Sequence, residues 1–138
     1  MRRILPSFAV FSIMGLATSG LVACQSAEPL PYDGQNLFLG YCASCHGPTG
    51  AGDGPMAEHL ANRLPDLRTI AARNDGVFPR DRIVEMIDGR SFRSVHGSAD
   101  MPVWGFQFRR EEGMTPEGLR NVEARIDALV DHIESLQQ

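Results

Sequence analysis

Cys42-Ala43-Ser44-Cys45-His46 is the stretch on which the reading of this 138-residue chain turns. At about 100° per helical residue, positions 42, 45 and 46 fall on one side of a helix. Two thiols and an imidazole then share one face. Four chemistries use such a C-x-x-C-H spacing or part of it. A thioredoxin-like dithiol needs a βαβ context, and no strand pattern accompanies the motif. Zinc needs a fourth protein ligand, and neither His59, His96 nor His132 stands at a plausible spacing. A disulfide closing so short a loop stabilises little, because the gain grows with loop length. Covalent haem fits: the thiols of Cys42 and Cys45 can add to the two vinyl groups of one porphyrin while His46 reaches the iron.

Upstream, Asp33 is a good N-cap for a helix running through Leu37, Phe38 and Tyr41 into the motif. Residues 24–32 read as a tether stiffened by Pro29 and Pro31. Residues 1–23 read as an export signal: Met1-Arg2-Arg3 is positive, an apolar stretch follows, and the end is small. Leu21-Val22-Ala23-Cys24 is similar to a bacterial lipobox, in which Cys24 carries lipid. An uncleaved anchor helix and an ordinary secreted protein are the competing readings. Haem attachment outside the cytoplasm agrees with export. The expected location is therefore the periplasmic side of a bacterial membrane, with the domain at 33–138.

Downstream, residues 47–55 are rich in Gly and Pro and form a loop, as do residues 90–105, which lack a sustained period. A second helix is expected from Pro79, with Ile83, Met86 and Ile87 on its apolar face and Gly89 ending it. The third has Thr115 as cap and Pro116 at its first position. Leu119, Val122, Ile126, Leu129, Val130, Ile133 and Leu136 form its stripe. The fold class is all-α, with three or more helices and long loops wrapped around one haem c. Without a large apolar cofactor, those helices would make a thin core.

The iron's sixth position has four Met candidates beyond the signal: Met56, Met86, Met101 and Met114. Met86 lies on an apolar stripe and reads as core, Met56 is too close to His46, and Met114 precedes a cap. Met101, in a loop stiffened by Pro102, is the expected ligand, with His96 the main competitor. A Met opposite a His raises the reduction potential.

The region 33–136 resembles a class I bacterial cytochrome c. The resemblance rests on Gly34, Phe38 and Tyr41, then 42–47, Gly50-Ala51-Gly52-Asp53-Gly54-Pro55, Pro65-Asp66-Leu67, Asp100-Met101-Pro102-Val103-Trp104-Gly105 and the end of the last helix. It implies that Pro55 offers its carbonyl to the second nitrogen of His46. It also implies that the first and last helices cross at Gly34 and Phe38. The family's aromatic partner on the last helix is replaced here by His132. Trp104 is expected as a haem contact, and Arg68, Arg80, Arg90 and Arg93 are candidates to neutralise haem propionates.

All 13 basic residues are Arg, against 17 acids, and loss of Arg2 and Arg3 with the signal leaves 11 − 17 = −6. A chain this acidic lacks the basic face nucleic acid needs. The expected partners are redox proteins and, through Cys24, a membrane surface; no small-molecule substrate is expected. No nucleophile–base pair or phosphate-cradling loop is evident, so the chain reads as an electron carrier and not an enzyme. A relay subunit of a larger membrane oxidoreductase is the alternative, and a haem enzyme or gas sensor with an open sixth site comes third.

Overall fold

Asp33 caps the first helix through its side chain, which accepts a 3.0 Å hydrogen bond from the Asn36 amide. The computed structural model describes residues 32–90 and 101–138. The export signal, Cys24, most of the tether, His96, Arg93 and Asp100 lie outside them. The helices are α1 (Gly34–Tyr41), α2 (Ala43–His46), α3 (Arg80–Asp88), α4 (Trp104–Glu112) and α5 (Pro116–Ser135), with no strand among the described residues.

The expected first helix is thus two, parted at Cys42, where φ −113° departs from helical geometry and lets the motif turn away from α1. Pro79 lies just outside α3 as its N-cap, and Gly89 ends that helix in the left-handed region at φ 85°. Thr115 and Pro116 open α5 as the sequence predicts, with the Thr115 hydroxyl accepting from the Gly118 amide. On its stripe Val122, Ile126, Leu129, Val130 and Ile133 are buried, whereas Leu119 is exposed.

Helix α5 is the spine, packing on α1, α3 and α4. Phe38, Phe108, Leu129 and Val130 are fully buried where these helices meet. Burying one such side chain contributes about 1.5–3 kcal/mol. At the α1–α5 crossing a Cβ on Gly34 would overlap the Ala128 carbonyl oxygen and lie 3.1 Å from His132 Cβ. The backbones therefore touch. His132 takes the aromatic position as expected, its ring centroid 5.1 Å from that of Phe38. Burial lowers the His132 pKa, partly opposed by Asp33, so the ring sits in the crossing as a neutral group.

Helix α4 was not expected. Its sequence starts Trp-Gly, has no side-chain cap, and buries only Gly105 and Phe108, so it shows no apolar stripe. Tertiary contacts hold it instead. The Tyr41 ring meets Trp104 and Phe108 edge-on at 5.4 and 5.2 Å. Short 3-10 turns at Ala57–His59, Leu67–Thr69 and Ala72–Asn74 order the long loop between α2 and α3. The C-terminus clamps that loop: Gln137 Nε2 donates to the Leu67 carbonyl at 2.9 Å, and the Ala71 amide donates to Gln137 Oε1 at 2.9 Å.

Candidate haem site

The motif face of α2 opens on a cavity of about 420 Å³, mostly apolar, walled by Phe38, Leu67, Ile83, Ile87 and Ile133 among others. Cys42, His46 and Met101 all stand in its wall, so residues 55 positions apart in the chain meet at one space. Cys45 is not part of the wall; it lies half-buried one turn along, its sulfur 3.9 Å from Ser44 Oγ. Both cysteines are free thiols. Burial pushes the Cys42 thiol up to about 12, with the neighbouring Cys45 adding to the shift.

Burial lowers the His46 pKa, which keeps the imidazole neutral, the form that binds a metal. Its Nδ1 is buried and makes no hydrogen bond. The expected hydrogen bond from His46 Nδ1 to the Pro55 carbonyl is therefore not formed. The loop itself is docked on α2: the Gly54 amide donates to the Cys45 carbonyl at 3.1 Å and the Met56 amide to that of Ser44 at 2.9 Å. Those bonds fix the residues on either side of Pro55 to the carbonyl end of α2 and leave the imidazole nitrogen unpaired.

Three other expectations change. Met86 is not simply core: it is half-exposed, yet it also stands in the cavity wall. Met56 and Met114 are exposed and outside it, and His59 is exposed beside Glu58. Trp104 does not line the cavity, because its ring is held in the Tyr41–Phe108 cluster. Among the propionate candidates, Arg68 grips Asp66 through two bonds of 2.9 and 2.7 Å, pulling that carboxyl down to about 2. Arg80 is shared among Asp127, Asp131 and Glu134, and Arg90 pairs with Asp88 at 2.6 Å. The cations in the cavity wall are Arg73 and Arg82, which the sequence reading passed over. Both lie in or beside segments read as loop or helix face, and nothing in their spacing marks them.

The sequence also gave no hint of a buried charge on α5. Arg125 is 5% exposed, donates to Glu111 at 2.8 Å, Glu112 at 3.0 Å and the Tyr41 hydroxyl at 2.7 Å, and lies 4.0 Å from the Phe108 ring centroid. This network ties α4 and α5 to the residue that precedes Cys42.

The donor set suits haem. Two thiols and a neutral imidazole lie on one short segment, a thioether sulfur stands in the same wall, and the surrounding side chains are apolar. No cluster of three or more His, Cys, Asp or Glu able to hold a bare metal ion occurs among the described residues. An all-helical domain with these donors around one apolar cavity is a haem-holding redox module. The chain belongs to the Cytochrome c family, whose pattern it matches over residues 32–137, and as a class I member it binds one haem c covalently and transfers electrons. No curated protein and no solved structure matches it.

Proposed function

We propose that this cytochrome is a carrier of single electrons between extracytoplasmic redox proteins, with Cys42 and Cys45 forming the thioethers and His46 and Met101 the axial ligands. The observation that carries this reading is the meeting of Cys42, His46 and Met101 in one cavity wall. When bound, the haem supplies a one-electron couple. The chain's part is to hold the imidazole neutral, offer the Met101 sulfur, and exclude water with Phe38, Ile83, Ile87 and Ile133. His46 and Met101 would hold the iron between them and leave a substrate no position on it, which favours a carrier over an enzyme. Arg73 and Arg82, which stand in the cavity wall, would be the cations available to pair with the propionates.

Met86 is the second candidate for the sixth position, because it shares the wall with Met101. Substituting each Met separately decides between them. In Met101→Ala the weak far-red band of the oxidised protein disappears, and reduced protein binds carbon monoxide. The midpoint potential falls by on the order of 0.1 V or more, within the roughly 0.8 V that axial ligands span. Met86→Ala leaves band and potential close to wild type. The opposite pattern would transfer the assignment to Met86. Prompt carbon monoxide binding by the unaltered protein would replace the carrier with a ligand-binding haem protein.

We further propose that lipid on Cys24 tethers the domain to the periplasmic side of a bacterial membrane, after removal of residues 1–23. The support is the lipobox-like Leu21-Val22-Ala23-Cys24. Cys24→Ser moves the haem protein from the membrane to the soluble fraction. If it stays with the membrane, the anchor is something other than this cysteine.

A further inference from the structure

Only Pro102 and Val103 separate Met101 from α4, so whatever fixes the start of that helix also fixes the sulfur's neighbourhood. Helix α4 starts three residues after Met101, and its first turn is set against the end of α3. A Cβ on Gly105 would overlap Asp88 Oδ1 and lie 2.6 Å from the Asp88 carbonyl oxygen. Only a glycine lets the second residue of α4 sit there. A Cβ on Gly89 would likewise overlap Val103, the residue just before α4.

Asp88 is the centre of this junction. It is 8% exposed, its Oδ1 accepts from Arg109 Nη1 at 2.8 Å, and its Oδ2 accepts from Arg90 Nε at 2.6 Å. Arg109 lies in the last turn of α4, so one carboxylate touches both ends of that helix: Gly105 by contact and Arg109 by an ion pair. No side chain of α4's own caps its first turn. The carboxylate against Gly105 therefore also meets the positive end of the helix, where negative charge is favourable.

We propose that the Asp88–Arg109 pair is a positioning device for the sixth ligand, acting through α4 to hold Met101 against the haem. The argument is one of short levers. Pro102 fixes one of the two free backbone angles next to Met101, and Val103 is seated on Gly89. Between the seat and the sulfur there is little slack. If α4 slides or tilts, Met101 moves with it. A buried carboxylate that loses one of two cations stays costly to bury, so the junction loosens when Arg109 is removed. Ligand-supporting contacts of this kind change metal-site properties by 10–100-fold when lost. This inference rests on Met101 as ligand.

The test uses the haem-loaded protein with Asp88→Asn, Arg109→Gln and Arg109→Lys. Two signals are followed on heating: the far-red band, which reports the Met–iron bond, and the far-UV helical signal, which reports the fold. Carbon monoxide binding to the reduced protein is timed at a temperature where all variants are folded. In Asp88→Asn and Arg109→Gln the far-red band is lost well before the helical signal, and carbon monoxide binds at least tenfold faster. Arg109→Lys, which retains the charge, recovers most of the wild-type behaviour. If band and helix melt together and carbon monoxide binding is unchanged, the pair is only structural and the proposal falls. If wild type has no far-red band, or Met101→Ala leaves it intact, the ligand assignment itself fails and takes the proposal with it.

Discussion

Gly34→Ala destabilises the haem-loaded protein by about 3 kcal/mol or more, at the upper end of what overpacking costs. The reason is the nature of the obstacle. The new methyl group would overlap the Ala128 carbonyl oxygen, part of the α5 backbone, which no side-chain rotation can move aside. Helix α1 must retreat instead, and Phe38, which is fully buried, loses its fit against His132 and the α5 stripe. Because α1 leads directly into Cys42, the retreat also shifts the motif. For a domain of about 100 residues, 3 kcal/mol corresponds to a fall in melting temperature of about 12–24 °C. Thermal unfolding followed by far-UV circular dichroism measures it. A fall under about 3 °C would mean that the helices do not touch as described.

The second large effect concerns Arg125. Glu111→Gln together with Glu112→Gln leaves a buried guanidinium with the Tyr41 hydroxyl and the Phe108 ring as its main neighbours. Removing the partners of a buried charge costs about 3–5 kcal/mol. The carboxylates are themselves partly exposed, so about 2–3 kcal/mol is expected here. Arg125→Met removes the buried charge and lets Glu111 and Glu112 hydrate, so it costs less than the double Gln change. The order of the two denaturation midpoints is the measurement. If Arg125→Met is the worse of the two, the guanidinium acts chiefly through packing and not as a compensated charge.

These two sites differ in how they could be read from sequence. Gly34 was legible only through the resemblance, which implies that the first and last helices cross there. Asp33, Thr115, Pro116 and Gly89 were legible from the residues alone, because their roles are set within one turn. Arg125 was not legible. On a helical wheel it interrupts an apolar stripe and reads as a solvated residue; only its partners, brought from α4 and from Tyr41, make it a buried one. Helix α4 was missed for the same reason, since Trp104, Phe108 and Arg109 are satisfied by Tyr41, Tyr41 again and Asp88, all distant in the chain. The cavity followed a mixed course. His46, Cys42 and Met101 were named from motifs, while Arg73, on a loop clamped by Gln137, and Arg82, on α3, join the wall only through the tertiary fold.

The burial of Cys42 has a bearing on how the protein is made. Its thiol sits in the core cluster with Phe38, Ile83 and Ile133, and burial pushes its pKa up to about 12. A thioether is formed by a sulfur that can become a thiolate. A fully closed, haem-free chain would therefore be slow to accept its cofactor. The side chains that close over Cys42 include Ile133, 91 positions later in the sequence. Assembly thus has an order written into the connectivity: the prosthetic group is joined while Cys42 is still accessible, before α5 closes over the motif.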